Sequence, residues 1–283
     1  MPIEAAPTHR LGHVTDSHFS VSGVLHDVTT RATFVAALEA LEATGLQLDA
    51  LVHTGDITDD GAGVAYAAVR EAAASVTGRT GWPMVWVAGN HDVRAPMREH
   101  LLGEPASDAP VDQVHDVRGL RVVNLDTSIP RRVEGGLDPE QLDRLRDVLA
   151  EPAEHGTVLV LHHPPVPVEV TVMQALHLTG QDALAAVLQG TDVRAVLGGH
   201  LHYATASTFA GVPVFVAPST AYTIRLVAPG GGIVGADGGR AAGVLSLYAD
   251  GRVGYTAVPA DGAPVVARAA EEEFAGLGVN APH

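Results

Sequence analysis

Short apolar runs alternate with amphipathic segments through the first two-thirds of the chain. The runs predicted to be buried strands are 11–16, 49–56, 83–90, 120–126, 156–163 and 193–200. The segments with apolar residues at helical spacing are 31–43, 62–76, 138–150 and 181–189. In the third helix, Asp138 is the predicted N-cap and Pro139 the first helical residue. Alternating strands and helices predict an α/β fold with strands buried on both faces.

The pattern changes after residue 202, where two hairpin-like segments follow one another. Their predicted turns are Ala210-Gly211 and Asp250-Gly251. No linker rich in Gly, Pro or Ser separates domains before about residue 228, so residues 1–262 are predicted to form a single domain. Residues 263–283 are predicted to form an acidic, partly helical tail.

Three glycines, Gly230, Gly232 and Gly235, match the G-x-G-x-x-G spacing of dinucleotide-binding loops. That motif binds pyrophosphate only where a strand precedes it and a helix follows. Here the next residues are "ADGGR", which do not start a helix. We therefore expect a mobile surface loop rather than a dinucleotide site.

The net charge of −16 disfavours nucleic acid and anionic membranes as general partners. An anionic substrate must then be attracted by local positive charge. No apolar stretch is long enough to span a membrane, and "MPIEAAPTHR" lacks the features of a signal peptide. Together with the absence of cysteine, these features favour a cytoplasmic location.

The absence of two residue types restricts the catalytic nucleophiles and metal ligands that the chain can offer. There is no Cys, and the 17 basic residues are all Arg. Thiol nucleophiles, thiolate metal sites and lysine Schiff bases are thereby excluded. Carboxylate, imidazole and amide groups remain, with 15 His in the chain. These groups are ligands for hard to borderline divalent metals.

Five predicted strands end in such groups. They are Asp16 with His18, Asp56, Asn90 with His91 and Asp92, His162 with His163, and His200 with His202. Ligands bind at the carboxyl ends of strands in open α/β sheets, so these groups are expected to converge. In extended backbone, alternate residues share a face, so Asp16 and His18 should point together, whereas His162 and His163 should point apart. By the same reasoning, His200 and His202 should share a face. Each motif alone has a structural explanation as a turn or a cap, but five in this order favour one functional site.

The motifs "DSH", "GD", "GNHD", "HHPP" and "GHLH" together resemble the calcineurin-like metallophosphoesterases. The segments "TDVRAVLGGHLHYAT" and "LDTSIP" look most similar to bacterial class III cyclic-nucleotide phosphodiesterases. The resemblance covers roughly residues 10–258. It implies a four-layered α/β-β/α sandwich of two mixed sheets, in which the β-rich stretch after residue 202 belongs to the second sheet. It is also compatible with a homodimer.

The resemblance further implies a dinuclear metal centre of Mn, Fe, Zn or Co. One metal would be held by Asp16, His18, Asp56 and His202, and the other by Asp56, Asn90, His162 and His200. His162 is chosen over His163 because of the proline two residues later. His91 would face the substrate phosphate, beside Asn90, with Asp92 orienting the imidazole ring. His26 stands in the substrate-side segment "SGVLHDVTT", where an aromatic residue is more usual.

The resemblance implies hydrolysis of a small anionic phosphodiester by a metal-bound hydroxide. Two divalent ions, two carboxylates and a hydroxide leave a formal charge of about +1, which a diester monoanion neutralises. A cAMP-like cyclic nucleotide monophosphate is the favoured substrate. The alternatives are a broader phosphohydrolase for glycerophosphodiesters, nucleotide pyrophosphates or monoesters, and a non-catalytic partner-binding scaffold. A scaffold should lack ligands or His91, and none is missing.

Overall fold

Strands and helices alternate along the chain, as the hydrophobic pattern predicts. The structure is a computed structural model, and it describes residues 6–168, 171–226 and 232–262 together with positions 264 and 266. The strands are β1 (His9–Val14), β2 (Val24–Leu25), β3 (Val28–Thr29), β4 (Ala50–Thr54), β5 (Met84–Val87), β6 (Gln113–Val117), β7 (Leu120–Asn124), β8 (Thr157–Val160), β9 (Val193–Gly198), β10 (Thr205–Phe209), β11 (Val212–Val216), β12 (Thr223–Arg225), β13 (Val234–Ala236), β14 (Ala241–Leu247) and β15 (Val253–Pro259). The helices are α1 (Thr30–Ala43), α2 (Gly63–Thr80), α3 (Arg94–Met97), α4 (Pro139–Leu149) and α5 (Gln181–Leu188). A π-helical turn at Arg98–Leu102 follows α3, and a short 3₁₀ helix spans Thr171–Ala175.

The four predicted helices are confirmed as α1, α2, α4 and α5, whereas the single turn α3 was not predicted. Helix α4 starts with the predicted cap, since the backbone N–H of Gln141 donates to Asp138 Oδ1 over 2.7 Å. In return, the Gln141 side chain accepts from the backbone N–H of Asp138 over 3.1 Å, which completes a capping box. Within the described part of the chain, no helix is both long and apolar enough to cross a membrane.

The first sheet has five strands in the order β15-β14-β1-β4-β5. Its centre is parallel: β1 pairs with β4, and β4 with β5. The second sheet has six strands in the order β10-β11-β9-β8-β7-β6, with a parallel centre from β7 to β11. In each sheet the carboxyl ends of the parallel strands therefore lie at one edge.

The two predicted hairpins, β10–β11 and β14–β15, form with turns at the predicted positions. Only the first joins the second sheet as expected. The second joins the first sheet, because β14 pairs antiparallel with β1 and places Leu245 opposite Leu11. The expectation that the whole β-rich stretch belongs to one sheet is therefore wrong.

The layers follow from three apolar clusters. Side chains of α1 and α2 such as Phe34 and Tyr66 pack on the outer face of the first sheet. Leu145 of α4 and Leu184 of α5 pack on the outer face of the second. Between the sheets, fully buried side chains such as Leu11 and Val158 form the third cluster. Each fully buried aliphatic side chain contributes about 1.5–3 kcal/mol to folding. This order confirms the four-layered α/β-β/α sandwich.

The glycine-rich segment leads into a strand and not a helix. Gly235 lies in β13, opposite Ile224 of β12. The expected mobile surface loop is therefore wrong for Val234–Ala236, while Gly230 lies outside the described residues. Most of the tail 263–283 also lies outside the described residues, so its helical character stays a prediction, as does the single domain over 1–262.

Candidate metal centre

The candidate ligands lie on loops just beyond the strands. Strands β1, β4, β8 and β9 end two residues before Asp16, Asp56, His162 and His200, respectively, and β5 ends three residues before Asn90. The strands end earlier than predicted, and the candidate ligands follow them in loops. The prediction that alternation along extended backbone sets the directions of these side chains is therefore wrong. Five candidates have positive φ instead. They are Asp16 (51°), His18 (45°), Asp56 (49°), His200 (69°) and His202 (58°).

Left-handed backbone costs a non-glycine residue about 1–2 kcal/mol, so these loops are held by their surroundings. Glycine permits two close approaches. A Cβ on Gly89 would lie 2.2 Å from the backbone nitrogen of Asp56, and a Cβ on Gly199 would lie 2.0 Å from Thr15 Oγ1. The glycines of "GNHD" and "GGHLH" therefore let neighbouring loops pack against one another.

The first cluster consists of Asp16, His18, Asp56 and His202, all of them buried. His18 Nε2 lies 3.1 Å from His202 Nε2 and 3.7 Å from Asp56 Oδ2. His202 Nε2 lies 3.4 Å from Asp16 Oδ1. Four donor atoms thus face a common point.

The tautomers of the first cluster follow from the opposite ring nitrogens. His18 Nδ1 donates to the Asp59 carboxylate over 3.2 Å, and His202 Nδ1 donates to the carbonyl of Tyr222 over 2.9 Å. Both partners only accept, so in each neutral ring Nε2 carries a lone pair. Two lone pairs 3.1 Å apart, beside two carboxylates, repel one another unless a cation lies between them. The donor set therefore fits a divalent metal ion, with oriented histidines as metal sites require.

The second cluster consists of Asp56, Asn90, His162 and His200. His162 Nε2 lies 3.1 Å from Asn90 Oδ1 and 3.4 Å from Asp56 Oδ2. His162 Nδ1 donates to the carbonyl of Thr54 over 2.8 Å, which leaves Nε2 as the free donor atom. His200 is turned the other way: its Nε2 donates to the carbonyl of Leu176 over 2.8 Å, so Nδ1 is free.

Asp56 stands between the clusters. The same oxygen, Oδ2, lies 3.7 Å from His18 Nε2 and 3.4 Å from His162 Nε2. The other oxygen, Oδ1, accepts the backbone N–H of His91 over 2.9 Å, which fixes the carboxylate plane. One carboxylate therefore reaches both groups of donors.

His163 lies close to this cluster but is already engaged. Its ring centroid is 4.5 Å from that of His200, near enough to belong to a metal-binding group by distance alone. However, its Nδ1 lies 2.9 Å from Thr127 Oγ1, and its Nε2 donates to the carbonyl of Val133 over 3.2 Å. Both nitrogens of His163 contact groups outside the cluster, whereas His162 Nε2 faces Asn90 and Asp56, so the choice of His162 is kept and stays a prediction.

Burial disfavours the charged forms of Asp56 and His162, yet their attraction dominates. Despite burial, His162 and His18 hold the pKa of Asp56 well below its usual value. Burial lowers the pKa of His162, but Asp56 and Asp16 raise it to about 9. Without a metal, His162 is therefore protonated near neutral pH. A metal ion binding here would displace that proton.

His91 lies at the edge of the first cluster, with its side chain 40% exposed. Its Nδ1 donates to the carbonyl of Asp59 over 2.9 Å, and its ring meets that of His18 edge-on, 4.9 Å between centroids. The opposite nitrogen, Nε2, is therefore the atom available to a ligand.

The expectation that Asp92 orients the His91 ring is wrong, because the Asp92 carboxylate points inward. It accepts hydrogen bonds from the backbone N–H groups of Ile57, Thr58 and Gly89, from Thr58 Oγ1 and from the Tyr66 hydroxyl. Burial and the nearby Asp56 raise the pKa of Asp92 to about 6, against these backbone bonds. Asp92 thus joins the loop that carries Asp56 to the loop that carries Asn90.

Two cavities flank the centre. One of about 400 Å³ is lined by His26, Tyr222 and Asp237, among others. The exposed His26 ring lies edge-on to Tyr222, whose ring centroid is 4.5 Å from that of His202. The other cavity, of about 620 Å³, has Asn90, His91, Arg94, Asp108 and Arg131 among its lining residues.

Sequence reasoning missed Asp59 and Tyr222. Asp59 stands three residues after Asp56 in "GDITDD" and holds both His18 and His91. A second carboxylate so close to a candidate ligand was a usable signal. Tyr222 is separated from His18 by about 200 residues and lies in no motif, so only the fold reveals it.

In this sandwich, loops that follow strands of both sheets bring nitrogen and oxygen donors together in two clusters, an arrangement typical of a metal-binding α/β protein. The family model described as calcineurin-like phosphoesterase matches residues 9–204. The chain therefore belongs to the calcineurin-like phosphoesterase family, and its clusters fit the divalent metals that the family needs.

Two relatives are similar over most of their length. A probable cyclic nucleotide phosphodiesterase of Rhodococcus erythropolis is 44% identical, covering 89% of this chain and 84% of the relative. A cAMP/cGMP dual specificity phosphodiesterase of Mycobacterium tuberculosis is 41% identical, covering 92% and 82%. Among solved structures, a dimetal phosphatase from Danio rerio superposes with a TM-score of 0.60 at 16% identity, covering 90% of this chain and 99% of that one. At that identity the likeness shows the fold alone.

Proposed function

We propose that the protein is a dinuclear, metal-dependent phosphodiesterase that hydrolyses cyclic nucleotide monophosphates. The observation that carries the proposal is the pair of donor clusters sharing Asp56, with the accessible ring of His91 beside them. The two relatives described above, at 44% and 41% identity, support this choice of substrate, because both are named as phosphodiesterases of cyclic nucleotides.

In this proposal the first cluster, with Asp16, His18 and His202, holds one metal. The second cluster, with Asn90 and His162, holds the other, and His200 contributes Nδ1. Divalent ions, when bound, supply Lewis-acid stabilisation of phosphoryl charge and lower the pKa of water. Manganese, iron, zinc and cobalt all suit this mixture of nitrogen and oxygen donors.

The chain's own residues supply orientation and proton transfer. Asp59 accepts from Nδ1 of both His18 and His91, through its carboxylate and its carbonyl, respectively. It thereby fixes one proposed ligand and one proposed catalytic ring in relation to each other. In the imidazolium form, His91 Nε2–H donates toward the departing oxygen of the substrate. Asp92 positions the loops through the hydrogen bonds that it accepts from the backbone of Ile57, Thr58 and Gly89.

Charge and shape favour a diester nucleotide. Two divalent ions, the two buried carboxylates of the first cluster and a hydroxide nucleophile would leave a formal charge of about +1, which suits a monoanion better than a dianion. The two cavities, of about 400 and 620 Å³, provide concave space for the sugar and base on either side of the centre. In this arrangement His26 and Tyr222 line the first cavity and contact the nucleoside.

The test compares substrates on purified protein loaded with Mn²⁺. We expect hydrolysis of cAMP and of bis-p-nitrophenyl phosphate, with much slower hydrolysis of p-nitrophenyl phosphate. Faster hydrolysis of the monoester would replace the proposal with a phosphomonoesterase. Elemental analysis of the same sample should find about two metal ions per chain, as a shared carboxylate between two clusters predicts.

A further inference from the structure

Arg131 occupies a turn position that normally belongs to glycine. The backbone N–H of Arg132 donates to the carbonyl of Ile129 over 2.9 Å, which closes a four-residue turn. Pro130, the second residue, cannot adopt positive φ, whereas Arg131, the third, has φ 64°. This is the signature of a type II turn, whose third position favours Gly or Asn. An arginine there is disfavoured by its own backbone.

No contact within the described chain compensates for that strain. The exposed Arg131 side chain makes no hydrogen bond or ion pair with any described residue. The next residue differs: Arg132 Nε lies 3.2 Å from the Glu134 carboxylate. A strained residue without an internal partner is a candidate for contact with a bound ligand.

The position of Arg131 indicates what it binds, since it lines the cavity of about 620 Å³ beside Asn90 and His91. The other arginine of that cavity, Arg94, is occupied: its Nε donates to Asp126 over 2.9 Å, and its Nη2 donates to the carbonyl of Ser128 over 2.8 Å. Arg131 is therefore the unpaired cation among the lining residues described.

We propose that Arg131 is a substrate-binding residue, whose guanidinium binds the anionic phosphodiester in this cavity. The inference rests on the proposed function, because it assumes that a diester enters beside His91. A chain of net charge −16 repels anions, so a cation in the cavity, in addition to the proposed metal ions, favours entry of the diester. A guanidinium offers a phosphate two parallel hydrogen bonds, which an uncharged side chain does not.

The first test compares R131Q with the matched control R132Q, using bis-p-nitrophenyl phosphate and cAMP on Mn²⁺-loaded protein. For R131Q we expect KM to rise about 10-fold with kcat within about twofold, since a contact made equally in ground and transition state affects binding alone. R132Q should leave both constants unchanged. An unchanged KM in R131Q would overturn the role of Arg131 while the wild-type activity upheld the proposed function.

The second test uses R131G, which suits the turn but removes the cation. We expect Tm to rise by about 2 °C, because glycine relieves the positive φ, while KM rises as in R131Q. A purely structural arginine would instead lower Tm on replacement, and that result would overturn the proposal. Wild-type protein that cleaves bis-p-nitrophenyl phosphate but not cAMP would overturn the proposed substrate and leave the Arg131 test intact.

Discussion

The two clusters share Asp56 but differ in charge and support. The first has two carboxylates, and the Nδ1 of one of its histidines faces a further carboxylate, that of Asp59. The second has an amide in place of one carboxylate, and its histidines donate to backbone carbonyls at Thr54 and Leu176. Because carboxylates attract a cation and a carboxylate partner raises the basicity of histidine, we expect tighter metal binding at the first cluster.

The largest effect is expected at the residue that the clusters share. Asp56→Ala removes the carboxylate that reaches both His18 and His162, so both metal sites should fail together. We expect far fewer than two metals per chain by elemental analysis, and near-complete loss of diester hydrolysis with the circular dichroism spectrum retained. Asp143→Asn, on the exposed face of α4, is the control. Two metals and normal turnover in Asp56→Ala would show that the clusters are independent of this carboxylate.

The adjacent histidines offer the next test. His162→Ala removes a donor atom 3.4 Å from Asp56 and should abolish activity or empty the second site. His163→Ala removes a ring whose nitrogens serve Thr127 and Val133, so it should cost stability and leave metal content near wild type. The measurement is metal content of both variants, with thermal unfolding alongside. The reverse order of effects would move the ligand by one residue.

The candidate ligands, which stay a proposal, were predictable because metal chemistry restricts residue types and the motifs carry these types in order. Their directions were not. Asp16 and His18 share a site through left-handed backbone, not through strand alternation, and short-range sequence patterns do not encode φ for aspartate or histidine. Asp92 was misassigned because the turn after Gly89 points its carboxylate into the neighbouring loop.

The fold, like the candidate site, was predictable from the sequence only in part. The spacing of apolar residues predicted the four long helices and both hairpins, because burial of one face of an element dictates that spacing. It did not show that β14 pairs with β1, because pairing between strands more than 200 residues apart depends on the assembled sheet. Supporting contacts such as that between Tyr222 and His202 were inaccessible for the same reason.

Substitution of His91 tests whether turnover can be lost while both clusters keep their metal ions. His91→Ala should leave metal content intact, because its ring reaches Asp59 and the cavity without joining either cluster. As a general acid it should contribute about 10²–10⁴-fold to turnover. The loss should be at least about tenfold larger on a cyclic nucleotide than on bis-p-nitrophenyl phosphate, since p-nitrophenolate leaves without a proton. Equal losses would favour charge stabilisation instead.

The smallest expected effect tests the comparison between the clusters most directly. In the wild-type protein, His18 Nδ1 lies 3.2 Å from the Asp59 carboxylate. Asp59→Asn keeps an oxygen that accepts from His18 Nδ1 but removes the negative charge. The backbone carbonyl that holds His91 is unchanged. His18 should become less basic, so affinity at the first cluster should fall by about 10–100-fold while the second cluster is unaffected.

Calorimetric titration of metal-free protein with Mn²⁺ measures this, since two sites of different affinity give two phases. In Asp59→Asn the tight phase should weaken toward the other. Asp60→Asn is the matched control: it removes a charge from the same loop, but among the described residues its carboxylate accepts from the backbone N–H groups of Val21 and Ala62 and from no candidate ligand. If Asp59→Asn instead weakens the looser phase, the tighter metal sits at His162 and Asn90, and charge at the first cluster does not set the order of binding.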